Sequence, residues 1–314
     1  MFSATKNAGG MRGFEKTVAR VVNGCSLRSL RSQPRENRHG PGRTGERLTA
    51  SMLMLTHTWI LREFLGPRAL LPECLDLYAY NVCPDLLTFH PAISSEMTHG
   101  IDRFRDLPDP HRKAAFVHFH LLVDDIAHYG DICEQPVRTF NPDSGGYTYV
   151  RGRSLVEPIR KFQKRFGREV SPSEVAYQSH IMIETAFDMV LNRKPENSGL
   201  IPLFTESLGG VARNGIEEFG RTIEWLTDIQ GETAGEAFAH GVNICTPERM
   251  NGLMNVEGRI NLFIDKFGLD RKDRAVRAGA IELMEQGMEL VRDCEAFLEP
   301  AMEKIRKSAF RCFL

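Results

Sequence analysis

No stretch of this chain approaches the ~18 consecutive apolar residues that a membrane-crossing helix needs, which excludes an integral helical membrane protein. It also lacks any CxxC pair. The seven cysteines (Cys25, Cys74, Cys83, Cys133, Cys245, Cys294, Cys312) are odd in number and scattered, so no disulfide framework or zinc ribbon is expected and the thiols read as reduced. No GxxxxGK[ST] pattern occurs, so Gly145-Gly146 reads as a flexible turn rather than a phosphate loop. Residues 1–50 lack the apolar core of a secretory signal, and Cys312 stands one place too late for prenylation. The expected location is therefore cytoplasmic. The net charge of -1 hides an asymmetry: +7 over residues 1–50 and -8 over the rest. An acidic body without clustered Lys and Arg excludes a broad nucleic-acid surface and suits acidic groups that await cations.

Strand signals are nearly absent, with Tyr147-Thr148-Tyr149-Val150 the one short β-like run. Helix signals are many. Asp109-Pro110 precedes a helical run from His111 to Tyr129 that stops at Gly130. Ser171-Pro172-Ser173-Glu174 is a capping box that opens a helix through about Leu191. Thr246-Pro247-Glu248 starts another ending near Gly268, and residues 271–307 hold one long helix or two broken near Pro300. The expected fold is all-α: a multi-helix bundle with a metal cage in its core and a loop-rich insertion from Ile132 to Pro158. Three segments follow. Residues 1–51 form a basic arm, read as a start upstream of the true one at Met52 or Met54, as a disordered tail, or as a targeting segment. Residues 52–198 form the metal-binding helical domain, and 199–314 a helical extension that packs on it, lids it or dimerises.

The chemistry lies in two trios, His120, Asp124, His128 and His180, Glu184, Asp188, each spaced four residues apart. A step of four advances a helical side chain by only about 40°, so each trio occupies one stripe. Two such helices face to face would build a cage of imidazole and carboxylate ligands. Histidine supply agrees: seven of the ten histidines fall within residues 57–128, and His180 is an eighth. His118 sits about 200° from His120 and should point elsewhere. His90 and His111 suit loop and cap positions, and His240 lacks a four-spaced acid.

Taken in order, His57, Asp85, His99, His120, Asp124, His128, His180 and Glu184 resemble the zinc-dependent phospholipase C family, whose relatives include zinc nucleases for single strands. That family holds up to three zinc ions in a helical bundle. Its ligands are an N-terminal histidine, an Asp with a His about fourteen residues on, HxxxD, another His, and HxxxE. Here Asp85 stands in Cys83-Pro84-Asp85 and His99 fourteen residues later, and the resemblance covers residues 57 to about 190. It implies that Asp85, His99, His120 and Asp124 hold or bridge one metal pair, that His128, His180 and Glu184 hold a further ion, and that His57 completes the set. It also implies phosphodiester hydrolysis on a phospholipid or other small phosphodiester, with transient contact at a membrane surface. Zn2+ is the expected ion, two or three per chain, with Mn2+ or Fe2+ acceptable to the same ligand types.

A carboxylate not consumed as a ligand would act as general base, with Asp125 and Asp188 as candidates and Asp85 the catalytic carboxylate within the cage; Asp188 is equally suited to capping or pairing. Arg138, Arg151, Arg153 and Arg160 near the insertion could clamp phosphate, although solvated surface accounts for most of them. Two other functions stay open. His99-Gly100-Ile101-Asp102 followed by Asp106 resembles a motif of the acyl-carrier-protein phosphodiesterases, and a closed cage would instead make a non-catalytic helical metal-binding protein, with a homodimer possible in either case.

Overall fold

The computed structural model describes residues 53–137 and 141–310, which belong to one compact unit. Expectations for residues 1–51, Arg138 and Cys312 lie outside the described residues. These hold thirteen α-helices and no strand: α1 (Met54–Leu65), α2 (Leu75–Leu86), α3 (Ser95–His99), α4 (Ala114–Tyr129), α5 (Tyr147–Arg165), α6 (Pro172–Arg193), α7 (Leu200–Asn214), α8 (Ile216–Leu226), α9 (Gly231–Ile244), α10 (Pro247–Leu253), α11 (Val256–Lys266), α12 (Arg274–Leu290) and α13 (Glu295–Lys307). The all-α expectation therefore holds.

Helices α2 and α4 are buried nearly all round, and an α-helix of that kind belongs in the centre of a bundle. Around them pack α1, α7 and α5, with α6 against both α5 and α12. Among the described residues the apolar core runs unbroken from Leu53 to Ile305, so residues 199–314 share it with the ligand-bearing helices.

Local signals account for the ends of the central elements. Gly130 stops α4 in the left-handed region at φ 84°, and Ser171 Oγ accepts from the Glu174 N–H to open α6. Three boundaries differ from expectation. The Thr246 cap opens only α10, and Asn255 recaps the chain for α11 by accepting from the Gly258 N–H at 2.8 Å. The break in 271–307 falls at residues 291–294, whereas Pro300 sits inside α13, which continues because Phe297, Leu298, Ala301, Met302 and Ile305 are buried along one face. The insertion is shorter than expected, since α5 begins at Tyr147. The β-like run there is helical for a tertiary reason: Ser144 Oγ donates to the His128 carbonyl and Thr148 Oγ1 to the Ala127 carbonyl, satisfying the open end of α4.

Candidate metal centre

Five side chains converge where four helices meet: His57 from α1, Asp85 from the last turn of α2, His99 from the end of α3, and His120 and Asp124 from α4. They form two overlapping groups, His57–Asp85–His120 and His99–His120–Asp124, which share His120. Asp124 lies at the centre. Its Oδ1 is 3.2 Å from His57 Nε2, and its Oδ2 is 3.4 Å from His99 Nε2 and 3.3 Å from His120 Nε2. Asp85 Oδ1 faces His99 Nε2 at 3.2 Å and His120 Nε2 at 3.7 Å.

A second group, His128, His180 and Glu184, lies one turn further along α4 and across on α6. Glu184 Oε1 is 2.6 Å from His128 Nε2 and 3.9 Å from His180 Nε2. Four residues of helix rise separate Asp124 from His128, so the two groups are neighbours about 6 Å apart along the stripe. Tyr149 stacks on the His180 ring at 4.7 Å, and Gly152 lets α5 come this close, since a Cβ there would sit 3.1 Å from Ser179 Oγ and 3.3 Å from the His180 backbone nitrogen. The His99 and His128 side chains, each 23 % exposed, open the two groups to solvent.

The donor set fits a metal. His57 and His120 are fully buried and stacked at 3.8 Å, and both ring nitrogens of each lack a hydrogen-bond partner. Buried imidazole nitrogens beside carboxylate oxygens, yet not aimed at them as N–H donors, are the arrangement that a shared cation satisfies. His99 is oriented from behind, with Nδ1 3.0 Å from the Ser95 carbonyl and Nε2 turned to the cage. The field of the site is negative. Although burial opposes it, Asp124 and Asp85 push His99 up to about 10, and against the same opposition Glu184 raises His128 to about 9. Burial lowers His120, and it lowers His180 to about 4. A cation entering the groups would displace the protons that the carboxylates now favour on His99 and His128.

All eight side chains expected as ligands thus fall in one or other group. Asp125 and Asp188, expected as free bases, do not. Asp125 accepts from Arg103 Nε at 2.9 Å and Nη2 at 2.7 Å and from the Cys133 N–H at 3.1 Å, so Arg103 holds both of its oxygens. Asp188 caps α1 from another helix, accepting from the Leu55 and Thr56 N–H groups and from Thr56 Oγ1. This cap ties the helix of His57 to the helix of Glu184. Asp102 and Asp106 of the alternative motif are exposed and join neither group. Arg151 lies over the Tyr147 ring, Arg153 donates to the Ser144 carbonyl and Arg160 pairs with Glu157 at the surface, so these arginines are committed elsewhere. His118 is buried away from His120 without a partner for Nε2, and burial lowers it to about 4.

Sequence reasoning missed Arg103. Its Nη1 donates to the His99 and Ile101 carbonyls while its other nitrogens hold Asp125, bracing the His99 segment against α4. No periodic signal marks it, because it sits in an irregular segment after α3. No model of a known protein family, curated protein or solved structure matches this chain.

Proposed function

We propose that this protein is a metal-dependent phosphodiester hydrolase of the zinc-dependent phospholipase C type, holding two or three Zn2+ ions and acting on a phospholipid or another small phosphodiester. The observation that carries the reading is the convergence of eight imidazole and carboxylate ligands, remote in sequence, into two adjoining groups with solvent access. The group of five, with Asp124 presenting both oxygens to three imidazoles, suits a carboxylate-bridged pair. The group of three would offer one donor fewer than a closed four-ligand structural site, the donor number of a catalytic zinc site.

Bound ions would supply Lewis-acid polarisation of a water and of the phosphoryl oxygens. The chain's own residues supply the rest. His57, Asp85, His120 and Asp124 present their donors from buried, mutually packed helix faces, which fixes the geometry in advance. Asp85, whose Oδ1 lies 3.2 Å from His99 Nε2 and 3.7 Å from His120 Nε2, is the carboxylate that would share a cation with both imidazoles. Asp125 braces this arrangement through Arg103.

Elemental analysis of purified protein, with Asp124→Asn and Glu184→Gln prepared identically, tests the reading. Two or three equivalents of metal are expected in the parent. Glu184→Gln should lose about one equivalent, Asp124→Asn should lose the ions of the five-residue group, and each should lower hydrolysis of bis(p-nitrophenyl) phosphate at least ~100-fold. A parent that takes up neither zinc nor manganese would sink the proposal. A fully loaded parent inactive on phosphodiesters, phospholipids and phosphopantetheinyl esters alike would make the cage structural.

A further inference from the structure

Lys266, the last residue of α11, comes from the half of the chain that supplies none of the eight ligands, yet it reaches the second group. Its Nζ stands over the face of Tyr177 at 4.8 Å from the ring centroid. Tyr177 in turn meets the His180 ring edge-on at 4.9 Å, and Tyr149 stacks on the same imidazole. A lysine at a helix end ordinarily extends its ammonium to water or to a carboxylate. This one is partly buried against an aromatic face, and among the described residues no carboxylate lies within ion-pair distance of Nζ. Burial lowers its pKa, while Glu184 and Glu174 act on it from beyond contact distance in the opposite sense.

The charge balance around Lys266 depends on Glu184. Glu184, paired with His128, acts on the partly buried ammonium only from a distance and offsets it in part. A cation held by Glu184, His128 and His180 would add positive charge on the neighbouring side of Tyr177 and outweigh that offset. An anion between that cation and Lys266 relieves the repulsion and accepts from Nζ. Arg103, a buried cation beside the cage, is held by Asp125 and two carbonyls and is not available for this.

Building on the hydrolase reading above, we infer that Lys266, set over Tyr177 beside the His128–His180–Glu184 group, is the anion-binding element of the site and grips a non-bridging oxygen of a phosphate group. The second half of the chain thereby contributes directly to substrate recognition. Lys266 holds the phosphate in register with the metal-binding residues, as a point charge rather than a bidentate clamp.

The test is calorimetric titration of inorganic phosphate into the full chain, zinc-loaded and zinc-stripped, for the parent, Lys266→Gln, Lys266→Met and Lys266→Arg, with zinc content and thermal unfolding measured on the same samples. Lys266→Met keeps an aliphatic stem over Tyr177 and separates loss of charge from loss of packing. The zinc-loaded parent is expected to bind phosphate. Lys266→Gln and Lys266→Met should weaken binding at least tenfold at unchanged zinc content, and Lys266→Arg should stay within about threefold of the parent. Equal affinity in the parent and both neutral variants, or no phosphate binding by the zinc-loaded parent, overturns the inference. If the chain takes up no zinc, the hydrolase reading falls by itself. Lys266-dependent phosphate binding by the metal-free protein then upholds the subsite, and its absence removes it.

Discussion

Asp188 is the residue at which the helical stripe His180–Glu184–Asp188 changes role, from cage to scaffold. Three donors of α1 converge on its carboxylate, yet burial prevails over them and pushes it up to about 6. A carboxyl whose folded pKa exceeds its unfolded value of about 3.9 adds stability that is complete below the unfolded value and is lost as pH rises through the folded one. Asp188→Asn abolishes this dependence. In urea unfolding, the stability of the parent relative to the variant is expected to be about 2 kcal/mol greater at pH 4.5 than at pH 7. An unchanged difference between the two pH values would show that Asp188 titrates normally. Asp188→Ala leaves buried N–H groups of α1 without an acceptor and should cost about 3 kcal/mol at neutral pH, read from the same unfolding curves.

At the scale of elements, two contacts position the ligands without touching one another. The Arg103–Asp125 pair joins the irregular segment after α3 to α4, and both side chains are buried. Removing one partner strands a buried charge, so Arg103→Ala is expected to destabilise the protein by about 3–5 kcal/mol and to weaken zinc binding at the His99 group. Retention of zinc affinity in Arg103→Ala would separate the pair from the site. The second contact is the seat of α5 on the end of α4. A Cβ on Gly146 would fall 2.0 Å from the carbonyl carbon of His128, which is backbone and cannot step aside. Gly146→Ala should therefore lift α5 from α4, lower stability by about 3 kcal/mol and loosen the stacking of Tyr149 on His180, visible as loss of zinc from the three-residue group with the five-residue group still filled.

For the whole molecule, the division at residue 198 that the ligand pattern suggests does not divide the core. Helix α7 packs on α1 and α2, and Gly287 of α12 sits where a Cβ would lie 3.4 Å from Ala186 and 3.6 Å from Met182 of the ligand helix α6. A chain ending at Ser198 is accordingly expected to show no cooperative unfolding transition by circular dichroism and to bind zinc weakly or not at all. A sharp transition in that fragment would establish residues 52–198 as an independent domain.

The spacing of four in His120–Asp124–His128 and His180–Glu184 was enough to place these residues on common stripes, because helical geometry maps sequence interval directly onto direction. Helix class, the Gly130 stop and the Ser171 cap were legible for the same reason: each is set by interactions within a few residues. The shortened insertion, the intact helix through Pro300 and the separate start of α11 were not legible, since packing of an apolar face and the needs of a neighbouring helix end outweighed local propensity there. The division of eight ligands into five and three, the capture of Asp125 by Arg103 and the approach of Lys266 to Tyr177 depend on how distant helices cross. Local periodicity carries the direction of a side chain around its own helix, and only tertiary packing decides what that side chain meets.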